Sequence, residues 1–261
     1  MIKLEREKKP DYLSDEKVAQ LTNDFKTSKI AVWNNDHIKN PLLLSSHGKC
    51  AYCECPLTSE SNYMEVEHFE DKKHNPDKVV LWDNLLPSCK KCNGSKGTHN
   101  VVDDPIINPY IENPKDHLLM RLYRFRGKTQ KGKSTIEVAN LNHSSRLVLS
   151  RFDIGEKIDE LIDIGWERCN IYLEKKDTRS RNRLIKIVEG LLEESQPTSD
   201  YSASTATNLL SDSKFLELIS AINQLNHHQR SVLTTTLTHL SDEPKVSELI
   251  ETAFDTKGIC P

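Results

Sequence analysis

Cys50-Ala51-Tyr52-Cys53 and Cys89-Lys90-Lys91-Cys92 frame a run holding Met64-Glu65-Val66-Glu67-His68-Phe69 and Trp82-Asp83-Asn84-Leu85-Leu86, and the run continues into Asn93-Gly94-Ser95-Lys96. The two Cys-x-x-Cys knuckles stand 35 residues apart and offer four thiolates, the number that fills the tetrahedral shell of zinc. A filled shell leaves no position for a substrate. Cys50, Cys53, Cys89 and Cys92 are therefore expected to hold a structural Zn2+. Five of the seven cysteines crowd into this segment, which reads as a metal site rather than a disulfide framework. Cys55 is expected beside the ion as a spectator, with Cys169 and Cys260 far away.

Between the knuckles the alternation of residues 64–69 predicts a strand ending in the acid–His pair Glu67-His68. Such a pair alone is more often a surface pair than a site. Here it is framed by the knuckles, with Asn84 sixteen residues after His68 and Asn93 nine further on. A neutral imidazole can take a proton from water near pH 7, and carboxylate and amide oxygens suit a hard divalent ion. His74 and His99 read as solvent-facing.

This segment resembles the HNH, or ββα-metal, nuclease motif of the subtype with two zinc knuckles. The resemblance implies a β-hairpin and a helix gripping one divalent ion, Mg2+ or Mn2+. It makes Glu67 a metal ligand, His68 the general base, Asn84 the brace that orients His68, and Asn93 the second ligand. Glu67 departs from the commoner Asp, and Asn93 replaces the final His of the motif's name. Phosphate contacts are expected from Lys96 foremost, then Lys72 and Lys73, with Lys90 and Lys91 adding charge. Arg121, Arg124, Arg126, Lys128, Lys131 and Lys133, interleaved with Tyr123 and Phe125 and free of acids, form a candidate nucleic-acid face.

Outward from this module, residues 11–45 predict helix with a break at Asn40-Pro41, and residues 103–117 with three prolines predict a turn-rich linker. A β pair is expected from Leu119–Arg126 and Ser134–Ala139 around a turn at Gly127–Gly132. Residues 144–194 are strongly helical. Ile154, Ile158, Leu161, Ile162, Gly165, Trp166 and Cys169 share one face, and Leu184, Ile187, Val188 and Leu191 repeat the pattern. Ser, Thr and Asp at 195–212 predict a mobile linker, followed by helices near Phe215–Leu225, His227–Leu240 and Val246–Phe254. The expected fold is α+β and mostly helical, a small zinc-stabilised ββα-metal module flanked by helices. Its expected divisions are 1–45, 46–143 and 144–261.

The 261 residues are 36% hydrophobic and 29% charged with a formal net charge of −3, which excludes a uniformly basic protein. No apolar run is long enough to span a membrane and no secretory leader opens the chain, so a cytoplasmic location is expected. Over roughly residues 1–165 the chain is also similar to the HNH effector family of Septu and retron-linked anti-phage systems. Met1-Ile2-Lys3-Leu4, Cys50-Ala51-Tyr52-Cys53-Glu54, Val66-Glu67-His68-Phe69, Asp104-Pro105-Ile106-Ile107-Asn108-Pro109, Leu141-Asn142 and Arg146-Leu147 carry this similarity. It implies a DNA substrate and an ABC-type ATPase partner, joined by retron RNA/DNA in the retron-linked systems. A zinc-ribbon module that binds without catalysis and a stand-alone restriction-type HNH nuclease are the alternatives. The first gives no reason for Glu67, His68, Asn84 and Asn93 at these spacings, and the second lacks a recognisable reader domain.

Overall fold

The alternating stretch becomes Asn62–His68 (β2), paired antiparallel with Leu85–Cys89 (β3) in a register running from Met64 opposite Cys89 to His68 opposite Leu85. The computed structural model describes residues 1–59 and 62–228. Thr58–Ser59 (β1) extends the sheet on the other side of β2. β3 is buried along its length and runs directly into Lys90–Lys96 (α3), whose first turn is capped when the Cys92 N–H donates to Cys89 Sγ at 3.4 Å. Strand, strand and helix thus form a ββα unit closed by a cysteine.

Two helices precede it. Asp15–Ser28 (α1) starts at the Ser14 cap, and Asp36–Ser45 (α2) starts at Asn35, whose side chain accepts from the Ile38 N–H. The expected break at Asn40-Pro41 is not there: Pro41 lies inside α2. Proline costs a helix about 3 kcal/mol, and full burial of Ile38 and Leu42 outweighs it. The N-terminal residues clamp the module from outside. Arg6 donates to the carbonyls of Trp82 and Leu85 at 2.8 and 2.9 Å and lies over the Tyr110 ring, while Trp82 Nε1 donates to the Glu7 carbonyl. Residues 1–45 therefore belong to the same compact unit as the module, Met1–Leu147.

Residues 103–117 are irregular, as the prolines demand, yet Ile106, Ile107 and Asn108 are buried. The β pair that follows differs from expectation. Leu118–Arg121 (β4) pairs with Arg124–Gly127 (β5), and Leu122 and Tyr123 take the turn with φ of 50° and 61°. That is the primed geometry a two-residue hairpin needs, adopted here without glycine. The expected second strand, Ser134–Ala139, lies in helix Gln130–Val138 (α4) and its C-cap, because Thr129 caps the Gly132 N–H at 3.1 Å.

The second unit begins at Val148. Leu149–Lys175 (α5) and Thr178–Glu193 (α6) pack through the expected faces, and Ile158, Ile162 and Leu191 are buried with Leu209 and Phe215. The expected linker at 195–212 is largely helix, Ser202–Ser211 (α7). Two of its hydroxyls bond back along the helix instead of drawing the backbone out of it, Thr207 to the Ala203 carbonyl and Ser211 to the Thr207 carbonyl, both at 2.7 Å. Ser213–His228 (α8) covers the expected Phe215–Leu225 helix, and Leu218 packs so close to α5 that a Cβ at Gly165 would stand 2.8 Å from its Cδ2. The expected Val246–Phe254 helix, and all but the first two residues of His227–Leu240, lie outside the described residues. Among the described residues no helix is long and apolar enough to cross a membrane.

Gly132 tests the packing of α4. A Cβ there would stand 2.1 Å from the His117 carbonyl oxygen. Gly132→Ala is expected to destabilise the first unit by about 1–3 kcal/mol, read as a lowered thermal midpoint; an unchanged midpoint contradicts this packing.

Candidate metal and catalytic site

The first knuckle is a tight loop. The Cys50 N–H donates to the Cys55 carbonyl, the Glu54 N–H returns to the Cys50 carbonyl, and Glu54 takes φ 64°. The Ala51 N–H donates to the Pro87 carbonyl at 2.9 Å, which docks the loop on β3. The second knuckle is the β3–α3 junction itself. Together they place the sulfurs of Cys50, Cys53, Cys89 and Cys92 within 4.8 Å of one another, all buried. Four sulfurs at about 2.3 Å from a zinc ion stand about 3.8 Å apart. The Cys53 and Cys89 sulfurs are 3.8 Å apart. The donor set and its size thus fit zinc, and Cys55 is buried beside the four without belonging to them.

The same junction sets α3 alongside β2. Asn93 and Lys96 stand one turn apart on the helix, and Glu65 and Glu67 stand two residues apart on one side of the strand. Two rungs result. Asn93 Nδ2 donates to Glu65 Oε2 at 2.7 Å, and Lys96 Nζ pairs with Glu67 Oε1 at 2.6 Å while donating to the His68 carbonyl at 2.9 Å. Asn93 Oδ1 accepts no hydrogen bond among the described residues. The side chains of Glu67 and Lys96 are 3% and 0% exposed, so this is an interior ion pair. Burial pushes the Glu67 carboxyl up to about 7 even though Lys96 pulls it down.

His68 points the other way from Glu67, as neighbours on a strand must. Its Nε2 lies 2.9 Å from the Val79 carbonyl oxygen. A carbonyl only accepts, so Nε2 carries the proton and Nδ1 keeps its lone pair. The Trp33 ring stands edge-on to the imidazole at 4.6 Å between centroids, and Lys72 Nζ lies 5.3 Å from the Trp33 centroid. Burial, aided by Lys72, lowers the His68 pKa to about 4. The ring is therefore neutral at physiological pH.

Asn84 works at one remove. Its Oδ1 accepts from the Glu70 N–H at 2.8 Å, and its Nδ2 donates to the carbonyls of Glu70 and Lys78 at 3.0 and 3.1 Å. It pins both ends of the loop after β2, and so the peptide next to the Val79 carbonyl that holds His68. Of the outer basic residues, Arg121, Arg124 and Arg126 share the β4–β5 hairpin, with Arg121 opposite Arg124. Arg121 and Arg126 are exposed, Arg124 donates to the Asn142 carbonyl, and Lys131 pairs with Glu112. Lys73, Lys90 and Lys91 are exposed, whereas Lys96, expected at a phosphate, is committed to Glu67. His74 bonds Asp71 and His99 approaches Asp104. Sequence reading passed over Glu65, Trp33 and the Val79 carbonyl. Only Glu65 had a signal, its place two residues before Glu67 on a strand.

The sequence profile of the HNH endonuclease family matches residues 50–99, the span of both knuckles and both rungs. The Septu protein PtuB of Bacillus thuringiensis is 44% identical, an alignment covering 84% of this chain and 85% of that protein. The chain belongs to the Septu PtuB family. A second PtuB, from Bacillus mycoides (strain KBAB4), is 24% identical across 88% of this chain and 97% of its own length. Protein ea31 of Escherichia phage lambda is 36% identical over 74 residues, 27% of this chain and 24% of that protein. Likeness to PtuB thus extends well beyond the nuclease module and takes in most of the chain, which is an enzyme of the HNH endonuclease class.

The bracing by Asn84 can be tested with one atom. Asn84→Asp removes the donor to two carbonyls and sets a carboxylate against them. Amides of residues 70–84 are expected to exchange hydrogen about 10- to 100-fold faster, equivalent to roughly 1–3 kcal/mol. Unchanged exchange in this loop contradicts the bracing role.

Proposed function

We propose that this chain hydrolyses DNA phosphodiester bonds as the metal-dependent effector of an anti-phage defence complex under the control of an ABC-type ATPase. The observation that carries the reading is His68, a neutral imidazole whose Nε2 is tied to Val79 and whose Nδ1 is unprotonated. Such a group can take the proton of an attacking water. Glu67 and Asn93 would hold the divalent ion, Mg2+ or Mn2+, through a carboxylate and an amide oxygen. When bound, the ion supplies charge relief to the leaving oxygen of the phosphodiester. The donor set fits a hard cation: Asn93 gives its N–H to Glu65 and so keeps its carbonyl oxygen for a ligand, and the buried Glu67 needs positive charge beside it. Lys96 already supplies some of that charge, and its proposed role is the counter-ion of Glu67. Lys72, Lys73, Arg121, Arg124 and Arg126 remain the candidates for the DNA backbone.

Membership of the PtuB family supports the defence context, and the ATPase partner is the one that family resemblance implies. The direct test is nicking of plasmid DNA by zinc-loaded protein with Mg2+ or Mn2+. His68→Ala is expected to lower the rate by about 10²–10⁴ with zinc content unchanged. Cleavage at the wild-type rate in that variant removes His68 as the general base, whereas wild-type protein that cleaves nothing leaves the zinc ribbon as a binding module.

The raised Glu67 pKa makes ion binding depend on pH. Below about pH 7 the carboxyl is protonated and must lose its proton to bind an ion. Mn2+ binding is expected to tighten as pH rises from 6 to 8 and to release a proton at the acid end, measured by calorimetry in two buffers of different ionisation heat. Equal affinity at both pH values, with no proton released, would contradict Glu67 as the ligand.

A further inference from the structure

We propose that Arg146 is an outer-sphere partner of the zinc ion, closing the charge on the four-thiolate site and bridging its two knuckles. This rests on the reading of the four cysteines as a zinc site. Zn2+ with four thiolates carries a net charge of −2, and here it would lie among residues that are 0–4% exposed. Negative charge at that depth requires a compensating donor or cation. Neutral donors are present: the Cys92 N–H on Cys89 Sγ at 3.4 Å, and Ser88 Oγ 3.7 Å from Cys50 Sγ. Among the described residues the side-chain cation seated on these sulfurs is Arg146. Its Nη1 lies 3.9 Å from Cys53 Sγ and 3.8 Å from Cys89 Sγ. One of those sulfurs belongs to each knuckle, and they are 3.8 Å apart, so the guanidinium sits astride one edge of the tetrahedron.

The backbone is built to deliver it there. Arg146 lies 47 residues past the end of the HNH match (146 against 99), in the π-helical turn Ser144–Val148. Such turns are rare and are found frequently at functional sites. Leu147, fully buried, fixes the turn, and its N–H donates to the His143 carbonyl at 2.9 Å. Arginine suits the position because its charge is permanent and its planar fork can meet two acceptors at once. The guanidinium offsets the negative charge of the site and favours the thiolate over the thiol, so it opposes the protonation that frees a cysteine and lets the ion exchange.

The test follows zinc itself. Zinc-loaded full-length protein is mixed with 4-(2-pyridylazo)resorcinol, and the rate of zinc transfer is compared for wild type, Arg146→Met and Arg146→Gln, both of which lack the charge. Gly132→Ala serves as a control that destabilises the same unit away from the Arg146 turn. Both Arg146 variants are expected to release zinc about tenfold faster. In the Co2+-substituted Arg146 proteins, the sulfur-to-metal charge-transfer band is expected to move to longer wavelength. Gly132→Ala should lower the melting temperature yet keep the wild-type band and release rate. Wild-type release and an unshifted band in Arg146→Gln overturn the proposal, as does equally fast release from Gly132→Ala. If Arg146→Met fails to fold, Arg146→Gln alone decides. Wild-type protein that purifies without zinc refutes the zinc reading instead.

Discussion

Four buried sulfurs tie the turn after α2 to the junction of β3 and α3, and the first unit takes its register from that tie. Because Cys89 both ends β3 and caps α3, the helix has to turn back along β2 at a fixed height. Asn93 then meets Glu65 and Lys96 meets Glu67, with no freedom to slip by a residue. A metal joint that closes a 35-residue excursion adds to the packing of Tyr52, Leu85 and Leu86, all fully buried. The N-terminal clamp of Arg6 on Trp82 and Leu85 acts on the same strand from the far side.

The interior charges are costly, and their arrangement argues for use rather than for stability. An ion pair such as Glu67–Lys96 loses several kcal/mol per ion on leaving water and recovers it only with good geometry. The Glu67 carboxyl is still held near neutrality and the His68 imidazole is held far below its ordinary pKa. Adjacent residues on one strand thus have opposite needs met on opposite faces: a carboxylate short of positive charge and a base kept unprotonated. Strongly shifted groups of this kind gather at working sites. The strand's alternation makes the separation possible, and the carbonyl of Val79 and the ring of Trp33 hold the second half of it.

Sequence made some of this plain and hid the rest for physical reasons. Cysteine spacing, the Glu67-His68 pair and the apolar face of α5 are local patterns, and the structure brings those residues together. Trp33, Arg6 and Arg146 reach their partners across 35, 76 and 57 residues, distances over which no pattern survives. The failures of local structure share a different cause. Pro41, the Leu122-Tyr123 turn and the Ser/Thr-rich α7 all run against intrinsic propensity: burial carries the first and third, and the pairing of β4 with β5 carries the exposed turn.

On the proposed function two ions divide the labour: four cysteines would hold a structural one that sets geometry, and Glu67 with Asn93 would hold a second, exchangeable one that takes part in hydrolysis. Zinc content and DNA nicking followed in the same sample, during stepwise addition of a chelator, separate the two. Nicking is expected to disappear while zinc is still fully bound, and to return on adding Mg2+ or Mn2+. Nicking and zinc falling together, with no recovery from added Mg2+ or Mn2+, would contradict this division.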